Sequence, residues 1–390
     1  MKLDTVDKVP IDLIWNISLV CPWDCNFCCT DAVHVRSVEG GKIELRERGL
    51  DSRVIINTAP EIGSHLKDEG FRLNRYDYAL IDRQRRGLEL SYLEKRKVLE
   101  NIQGSPVEIE FAGGDPLVCY ENYLVIKYAT ELFGKDKISV TSTGATINRY
   151  DLFELANYVG QFEFTFDEVD EETQVRPKSY NRSNLRIAER MAAIGVRTKA
   201  QIPLHKGNME QKKIRILLEE LKGAGVVDIL LMRVFPVGRA IGRQDKWSVS
   251  SLELRTAIGH YIDMSKRLGG VRIRLQCALR YLFPNGMNEN PCDAIKSSFG
   301  INWKGQLLLS AWANSNEDGV LDDVFILGDL CTQTLSEIRT SPAVIRSEKQ
   351  LEKNFGHCKV FSFLYSKKVG WDAIFDKADP LYVNDEEDNK

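Results

Sequence analysis

The segment Leu19-Val-Cys-Pro-Trp-Asp-Cys-Asn-Phe-Cys28 decides the fold predicted for this chain. Its cysteines, Cys21, Cys25 and Cys28, follow a strand-like apolar run and have the spacing C-x3-C-x2-C. Cysteine thiolate is the usual ligand of iron–sulfur clusters, so three thiolates in one short loop can bind three irons of a [4Fe–4S] cube. The fourth iron of such a cube has no protein ligand and is open to another molecule. The spacing therefore predicts one [4Fe–4S] cluster on these three cysteines.

Two alternatives to a cluster stay open at this point. A chance match is one, because the chain has 9 cysteines among 390 residues. The other is a structural zinc ion bound by Cys21, Cys25, Cys28 and His34 as a Cys3His set. Zinc sites more often combine two C-x2-C pairs, and the sequence has no second pair near the first. Cys29 directly follows the motif, and we interpret it as a bystander because adjacent side chains diverge.

A second motif lies downstream, where an alternating strand pattern beginning at Val107 runs into Gly113-Gly114-Asp115-Pro116. The glycines allow close approach of the backbone to a ligand, and Pro116 stiffens the turn. Alone, this tetrapeptide is typical of an ordinary turn. Its position after a strand and downstream of the cysteine loop favours a ligand-binding loop.

The two motifs together resemble those of the radical S-adenosylmethionine (SAM) superfamily. The cysteine motif has an aromatic residue, Phe27, before its last cysteine, and Gly-Gly-Asp-Pro is similar to the GGEP motif of the family, with Asp in place of Glu. The resemblance implies that the amino and carboxylate groups of SAM chelate the open iron, and that the reduced cluster cleaves SAM to a 5′-deoxyadenosyl radical. It also implies that Gly113, Gly114, Asp115 and Pro116 hold the methionyl end of SAM.

Length and charge set outer limits on the function. The 390 residues suit two or three domains or one large barrel with additions, and a net charge of −3 gives no footprint for nucleic acid. The sequence has no apolar run long enough to span a bilayer, and its N-terminus lacks the core of a signal peptide. An odd number of cysteines without a signal indicates a reducing cytoplasm.

Strand and helix patterns alternate along the first part of the chain. Such alternation predicts parallel strands joined by crossover helices. Helical patterns lie near 120–133, 150–158, 181–194 and 211–223, and Ser91 with Glu94 forms a capping box that opens a further helix. The candidate strands are Leu13–Val20, Val107–Phe111, Ile138–Ser142, Phe162–Asp167, Arg197–Pro203 and Val227–Phe235.

The period-two pattern of these strands places polar residues on one face and large apolar residues on the other. A closed eight-stranded barrel fills its interior with apolar side chains. Six strands with a polar inner face instead predict an open barrel around a wet cavity, similar to the partial (β/α)6 barrel of radical SAM enzymes. The alternative is that some polar faces are solvent-exposed. The polar positions are Asn16, Ser18, Glu108, Glu110, Ser139, Thr141, Thr143, Glu163, Thr165, Asp167, Lys199 and Gln201.

Three further positions match the family more loosely. Thr143 ends the third candidate strand and Asp167 the fourth, where the family places residues that face the SAM ribose. Arg176 follows nine residues later, where peptide-modifying members place an arginine that pairs with the SAM carboxylate, and a guanidinium fork suits a carboxylate. The alternatives are strand-end capping and a surface arginine.

The region after the sixth strand resembles a reduced SPASM or Twitch extension. Pro236-Val-Gly-Arg239 is similar to the exit that precedes such extensions, and Cys292 with Gly305 meets the start of the C-x9–15-G-x4-C motif. The second cysteine of that motif is replaced by Ser310, so we predict no auxiliary cluster. The alternative is an auxiliary cluster formed if Cys277, Cys292, Cys331 and Cys358 converge, which their spacing does not demand.

We therefore predict three parts of the chain. Residues 1–245 form an α/β partial barrel with a polar insertion at 30–88, which is either a lid or a surface loop. Residues 246–375 form a small α+β extension that includes a hairpin at Phe299–Ser310, and residues 376–390 form an acidic tail.

The predicted function is hydrogen abstraction from a ribosomally made precursor peptide, because the exit motif and the reduced extension resemble those of peptide maturases. Against this, no separate leader-binding domain precedes the first strand. A small polar metabolite, such as a sugar, cyclitol or nucleotide, is the alternative substrate, and a zinc-bound scaffold without turnover is the alternative of a different class. A reductant such as flavodoxin or ferredoxin is the expected partner. No catalytic side chain is assigned.

Overall fold

A ten-stranded sheet with helices on its outer face organises the structure. The computed structural model describes residues 10–47, 53–58, 72–169, 176–241, 249–283, 290–314, 320–354 and 357–381. Its strands are β1 (Ile11–Ser18), β2 (Val20–Cys21), β3 (Val33–Val38), β4 (Lys42–Arg46), β5 (Arg53–Asn57), β6 (Val107–Gly113), β7 (Ile138–Thr141), β8 (Gln161–Thr165), β9 (Arg197–Leu204), β10 (Asp228–Arg233), β11 (Arg272–Leu275), β12 (Ser298–Ile301), β13 (Gln306–Leu308) and β14 (Ile326–Asp329).

Helices connect most of the barrel strands, and several of them begin at residues whose side chains accept hydrogen bonds from the first turn. The capping box of Ser91 and Glu94 is confirmed, with the Ser91 amide donating to Glu94 Oε2 at 2.7 Å. The helices are α1 (Arg75–Arg85), α2 (Tyr92–Ile102), α3 (Tyr120–Phe133), α4 (Leu152–Leu155), α5 (Tyr180–Ala193), α6 (Gln211–Gly223), α7 (Ser251–Leu268), α8 (Cys277–Arg280), α9 (Leu335–Arg339), α10 (Pro342–Lys353), α11 (Lys359–Tyr365) and α12 (Gly370–Ile374).

The large sheet has the order β11-β10-β9-β8-β7-β6-β1-β12-β13-β14. Its pairs are parallel from β11 to β12 and antiparallel from β12 to β14. The six predicted strands are β1 and β6 to β10, in chain order, and the crossovers between β6 and β10 are α3, α4, α5 and α6. The predicted α/β partial barrel is confirmed.

Alternate residues of these strands face opposite environments, as the pleat requires. Leu13, Trp15, Phe111, Phe162 and Phe164 are fully buried in the apolar core on the outer face of the sheet. The residues between them point into the barrel and are largely polar. The predicted polar lumen is therefore confirmed, and the outer layer supplies the hydrophobic burial that holds the sheet together.

The C-terminal part of the chain adds strands at both edges of the barrel sheet. β11 pairs with β10, and β12 pairs with β1 in the register Leu13 with Phe299. The predicted hairpin is present as β12 and β13, with Gly305 at a φ of +78° in its turn. The division of the chain at residue 245 stays a prediction, and residues 242–248 at that boundary lie outside the described residues.

The predicted insertion contributes β3, β4 and β5 to a second, four-stranded sheet of order β2-β3-β4-β5, in which β2 comes from the chain before the insertion. Helix α1 packs on it through a separate apolar cluster that includes Val33, Leu45 and Leu80, together with Leu19 and Val20 at the end of the first barrel strand. The described parts of the insertion are thus packed directly against the chain that leads into the cysteine loop. In the described part of the protein, no helix is both long enough and apolar enough to cross a membrane.

The segment that we predicted as the start of an acidic tail packs against the barrel. Asp379 is fully buried, and Arg233 Nη1 donates to its two carboxylate oxygens at 3.0 and 2.8 Å. Tyr281 also donates to Asp379 at 3.0 Å. The packed part of the chain therefore extends at least to Leu381, and residues 382–390 lie outside the described residues.

Replacing Asp379 by Ala is expected to lower the free energy of unfolding by about 3–5 kcal/mol, because it leaves the buried charge of Arg233 without its counter-ion. Urea denaturation measures the loss. The control is Asp372→Ala on the exposed side of α12, which is expected to cost less than about 1 kcal/mol. Equal losses in the two variants would contradict this account of the C-terminal segment.

Candidate active site

One cavity of about 570 Å³ inside the barrel brings the predicted site together. The cysteine loop, the Gly113-Gly114 loop and the polar faces of the strands all contribute to its lining. Seven of the ten predicted site residues border this cavity: Cys21, Cys25, Cys28, Gly113, Gly114, Thr143 and Arg176. The other three, Asp115, Pro116 and Asp167, are buried behind the lining.

The three cysteines are free thiols at the carboxyl end of the first barrel strand. Cys21 ends β2, and the loop that follows β2 carries Cys25 and Cys28. Cys28 Sγ lies 3.3 Å from Thr30 Oγ1 and accepts the Ala32 amide at 3.4 Å. Burial raises the pKa of Cys21 well above its ordinary value and also raises the pKa of Cys25. Burial therefore favours the protonated forms of Cys21 and Cys25, and binding of a metal group must displace their protons.

The donor set fits a cube better than a single ion. A cube places each thiolate on a different iron, so its ligands do not converge on one point. Within the residues that the structure describes, no three His, Cys, Asp or Glu side chains converge to bind one metal ion. The Cys3His zinc set with His34 is therefore not assembled.

The two glycines of the second motif are required by contact with the chain itself. The Gly114 amide donates to Ser18 O at 2.7 Å, and the Asp115 amide donates to Val20 O at 2.9 Å. A Cβ on Gly114 would lie 2.3 Å from Val20 O, and Gly113 has a φ of +118°. We predicted that these glycines allow the backbone to approach a ligand. In the structure they approach the backbone that leads into the cysteine loop, and they also border the cavity.

Asp115 joins two loops and does not reach the cavity. Its Oδ1 accepts from Ser142 Oγ at 2.7 Å and from the Leu117 amide at 3.1 Å. Its Oδ2 accepts from the Thr143 amide at 3.0 Å and from the Thr143 hydroxyl. Burial raises the pKa of Asp115, while these donors favour its ionised form. Asp115 therefore positions Thr143, which does border the cavity, and Pro116 begins the short 3-10 turn behind it.

Asp167 and Arg176 pair with each other. Arg176 Nε and Nη2 donate to Asp167 Oδ2 at 2.8 and 2.7 Å, and the guanidinium lies 4.3 Å from the centre of the Phe27 ring and 4.7 Å from that of Tyr180. Among the described residues, the buried Asp167 Oδ1 has no hydrogen-bond partner. The sequence placed both residues near the site, but their mutual pairing was not predicted. The carboxylate of Asp167 orients Arg176 over the cysteine loop.

A hydrogen-bonded polar layer crosses the lumen. Glu110 Oε1 accepts from Thr141 Oγ1 at 2.6 Å and from Gln201 Nε2 at 3.3 Å, and Gln201 also donates to Glu163 Oε2 at 3.0 Å. Lys199 forms an ion pair with Glu163. Burial, together with the nearby Glu163 carboxylate, raises the pKa of Glu110 to about 7. The layer gives the cavity a polar wall built from four neighbouring strands.

Three of the four C-terminal cysteines lie close together. Burial raises the pKa of Cys277 well above its ordinary value, and the neighbouring Cys292 and Cys358 add to the shift. Cys331 lies elsewhere, with its Sγ 3.8 Å from Lys304 O. The spacing in the sequence did not reveal this grouping. The absence of an auxiliary cluster stays a prediction.

Comparisons with known proteins give structural matches only. No protein-family model matches the chain, and no curated protein matches it. SuiB of Streptococcus suis, bound to the precursor peptide SuiA, matches with a TM-score of 0.62 and 14% identity over 96% of this chain and 76% of SuiB. SuiB bound to S-adenosylmethionine matches with a TM-score of 0.61 and 14% identity over 96% of this chain and 77% of that chain.

A third solved structure is native anSMEcpe with bound AdoMet and Cp18Cys peptide. It matches with a TM-score of 0.53 and 13% identity, and the match covers 97% of this chain and 100% of that chain. The chain shares its fold with these solved structures. The predicted resemblance is thereby confirmed at the level of the fold. This fold places the cysteine loop and the glycine loop at the carboxyl ends of the strands, where ligand sites of such barrels lie.

Replacing Glu110 by Gln is expected to stabilise the protein at pH 8 by about 1–3 kcal/mol relative to the wild type. The carboxyl has an ordinary pKa of 4.5 and a pKa of about 7 in the folded chain, so the folded state loses stability as the pH rises through this interval. The amide keeps an acceptor oxygen for Thr141 and Gln201 but does not ionise. Urea denaturation at pH 5 and pH 8 measures the difference.

The control is Glu108→Gln on the same strand, where the side chain is 45% exposed and forms a surface ion pair with Lys137. This variant is expected to change stability by less than about 1 kcal/mol at both pH values. A Glu110→Gln variant whose stability follows the wild type in parallel from pH 5 to pH 8 would contradict the assigned burial of Glu110.

Proposed function

We propose that this protein is a radical SAM enzyme. One [4Fe–4S] cluster binds to Cys21, Cys25 and Cys28, and SAM binds beside it against Gly113 and Gly114. The observation that carries the proposal is the cavity in which three free thiols face the glycine loop at the carboxyl ends of the barrel strands. The radical SAM fold of the chain supports it.

Further residues orient SAM in this proposal. Thr143 presents its side chain at the cavity, held by Asp115, and suits a ribose hydroxyl. Arg176, paired with Asp167, suits the SAM carboxylate. Asp167 lies behind the cavity lining and acts in this proposal through the arginine that it orients.

When bound and reduced, the cluster supplies one electron that cleaves SAM to a 5′-deoxyadenosyl radical, and this radical abstracts hydrogen from carbon. The chain orients the site. Its helices bury the outer face of the sheet, the glycine loop closes against the first strand, and the polar layer around Glu110 and Glu163 offers hydrogen-bonding groups to a substrate. In this proposal the reductant is an electron donor such as flavodoxin or ferredoxin, acting in a reducing cytoplasm.

The proposed substrate is a ribosomally made precursor peptide, modified by a crosslink or an epimerisation. SuiB bound to SuiA and anSMEcpe with its Cp18Cys peptide support this class. The second candidate is a small polar metabolite, which the polar layer of the lumen favours because Gln201, Lys199 and Glu163 offer both donors and acceptors. Both candidates use the same cluster and the same SAM site.

Replacing Cys21, Cys25 or Cys28 by Ala is expected to remove nearly all iron from the anaerobically reconstituted protein, because two thiolates do not hold a cube. The wild type is expected to bind about four irons and to release 5′-deoxyadenosine from SAM with dithionite. The control is Cys29→Ala, which is expected to keep both properties. One zinc and no iron in the wild type, or iron retained in the three variants, would contradict the proposal.

The substrate class is tested with the reconstituted enzyme, SAM, dithionite and a synthetic peptide encoded by a short open reading frame beside the gene. We expect the peptide to stimulate 5′-deoxyadenosine release and to change in mass, whereas a peptide of the same composition in scrambled order does neither. Stimulation by sugars or nucleotides, without any by the peptide, would replace the first substrate class by the second.

A further inference from the structure

Arg239 contacts the cysteine loop from the side opposite the cavity. Its side chain is 9% exposed and does not border the cavity. Nε donates to Asp31 Oδ1 at 2.7 Å, and Nη1 donates to Asp24 Oδ1 at 2.7 Å and to Cys25 O at 2.8 Å. Nη2 donates to Ala32 O. One guanidinium thus binds four acceptors that span the loop from before Cys25 to after Cys28.

The backbone beside Arg239 adds a second attachment. The Arg239 amide donates to Cys28 O at 2.9 Å. A Cβ on Gly238 would lie 2.4 Å from Cys28 O and 2.6 Å from Cys29 O, and Gly238 has a φ of +59°. Glycine is required here because any side chain would push the strand exit away from the loop. Gly238 and Arg239 therefore act as one clamp.

The chemistry of the clamp matches its acceptors. A guanidinium is planar, stays charged and has five donors in a fixed fork, whereas an ammonium is a single point of charge. Two of the four acceptors are carboxylates on either side of Cys28, and Asp31 lies at a φ of +48°, a conformation that Asp and Asn tolerate. The loop is therefore held by the short 3-10 turn Gly238–Ala240, which follows the sixth barrel strand, through hydrogen bonds that involve no metal.

We infer that Arg239 is a positioning residue that holds the three-cysteine loop in its binding conformation before the cluster arrives. The inference deepens the proposed function and rests on it for the identity of the bound group. Arg239 does not border the cavity, and its side-chain hydrogen bonds go to two carboxylates and two backbone carbonyls of the loop. Its charge also acts on the nearby Cys28 thiol, so the comparison of Arg239→Lys with Arg239→Met separates the charge from the positioning. A preorganised loop binds the cluster without first losing conformational entropy.

The first test measures the apo protein. In Arg239→Met, the alkylation rates of Cys25 and Cys28 by iodoacetamide, followed by mass spectrometry, are expected to rise about tenfold as the loop opens locally. Cys331, which lies far from the clamp, is the internal reference and is expected to react at the wild-type rate. The control variant is Arg36→Met, which removes a half-exposed arginine paired with Glu44 on the neighbouring sheet. Unchanged rates at Cys25 and Cys28 would overturn the inference.

The second test measures iron bound after reconstitution with limiting iron and sulfide. Arg239→Met and Arg239→Lys are both expected to retain less than about one third of the wild-type iron, because neither side chain reaches four acceptors. Iron at the wild-type level in Arg239→Lys would show that charge alone is needed and would overturn a positioning role. Asp31→Asn keeps an acceptor in a tolerated conformation, and an intermediate iron content is expected even if the Arg239 variants fold poorly.

These readouts separate the clamp from the proposed function. If the wild type binds no iron, the proposed function fails, and the alkylation rates still test the clamp. If the wild type binds iron and the Arg239 and Asp31 variants load it equally well, the clamp fails and the proposed function stands.

Discussion

The close contact between the glycine loop and the end of the first barrel strand is the constraint on which the site depends. The parallel register of β1 and β6 continues beyond both strands through the bonds from Gly114 to Ser18 O and from Asp115 to Val20 O. These bonds fix the glycine loop relative to the chain that carries Cys21. Any side chain at Gly114 would separate the two loops. Backbone contacts therefore fix the position of the glycine loop relative to the thiols.

Polar and apolar side chains lie on opposite faces of the same strands. The outer face buries large apolar side chains, which supply the driving force for folding. The inner face carries carboxyls, amides and hydroxyls that satisfy one another, as Glu110, Thr141 and Gln201 do. Burying a polar group costs free energy unless the group is hydrogen-bonded. The hydrogen bonds of this layer therefore allow a polar lumen inside a stable sheet.

Much of the barrel could be predicted from the sequence, because several of its strands alternate between polar and apolar residues and some helices begin with capping residues such as Ser91. The edge strand β11 was missed because its sequence, Arg272-Ile-Arg-Leu275, offers only two apolar positions. The strands of the insertion were also missed, although Val33 and Val35 alternate with polar residues, because charged residues dominate that stretch. Whether a short, polar segment forms a strand depends on the strands that it pairs with, and the local sequence pattern does not show them.

The residues of the site could be predicted from the sequence, but the hydrogen bonds between them could not. The spacing of the thiols and glycines is visible in the sequence. The hydrogen bond from the Thr143 amide to Asp115 and the pair of Asp167 with Arg176 instead arise where loops that follow the strands meet. Arg239 was visible only as part of an exit motif, since its partners Asp24 and Asp31 lie more than two hundred residues earlier in the chain. Contacts at such separation leave no periodic signal.

The pairing of β12 with β1 has a consequence for how such an extension evolves. If the C-terminal polypeptide were deleted, β1 would become an edge strand with unpaired amides and carbonyls along its length, and exposed edges of this kind promote aggregation. Selection for a covered β1 edge would retain strand β12 in such an extension whether or not the extension binds a metal.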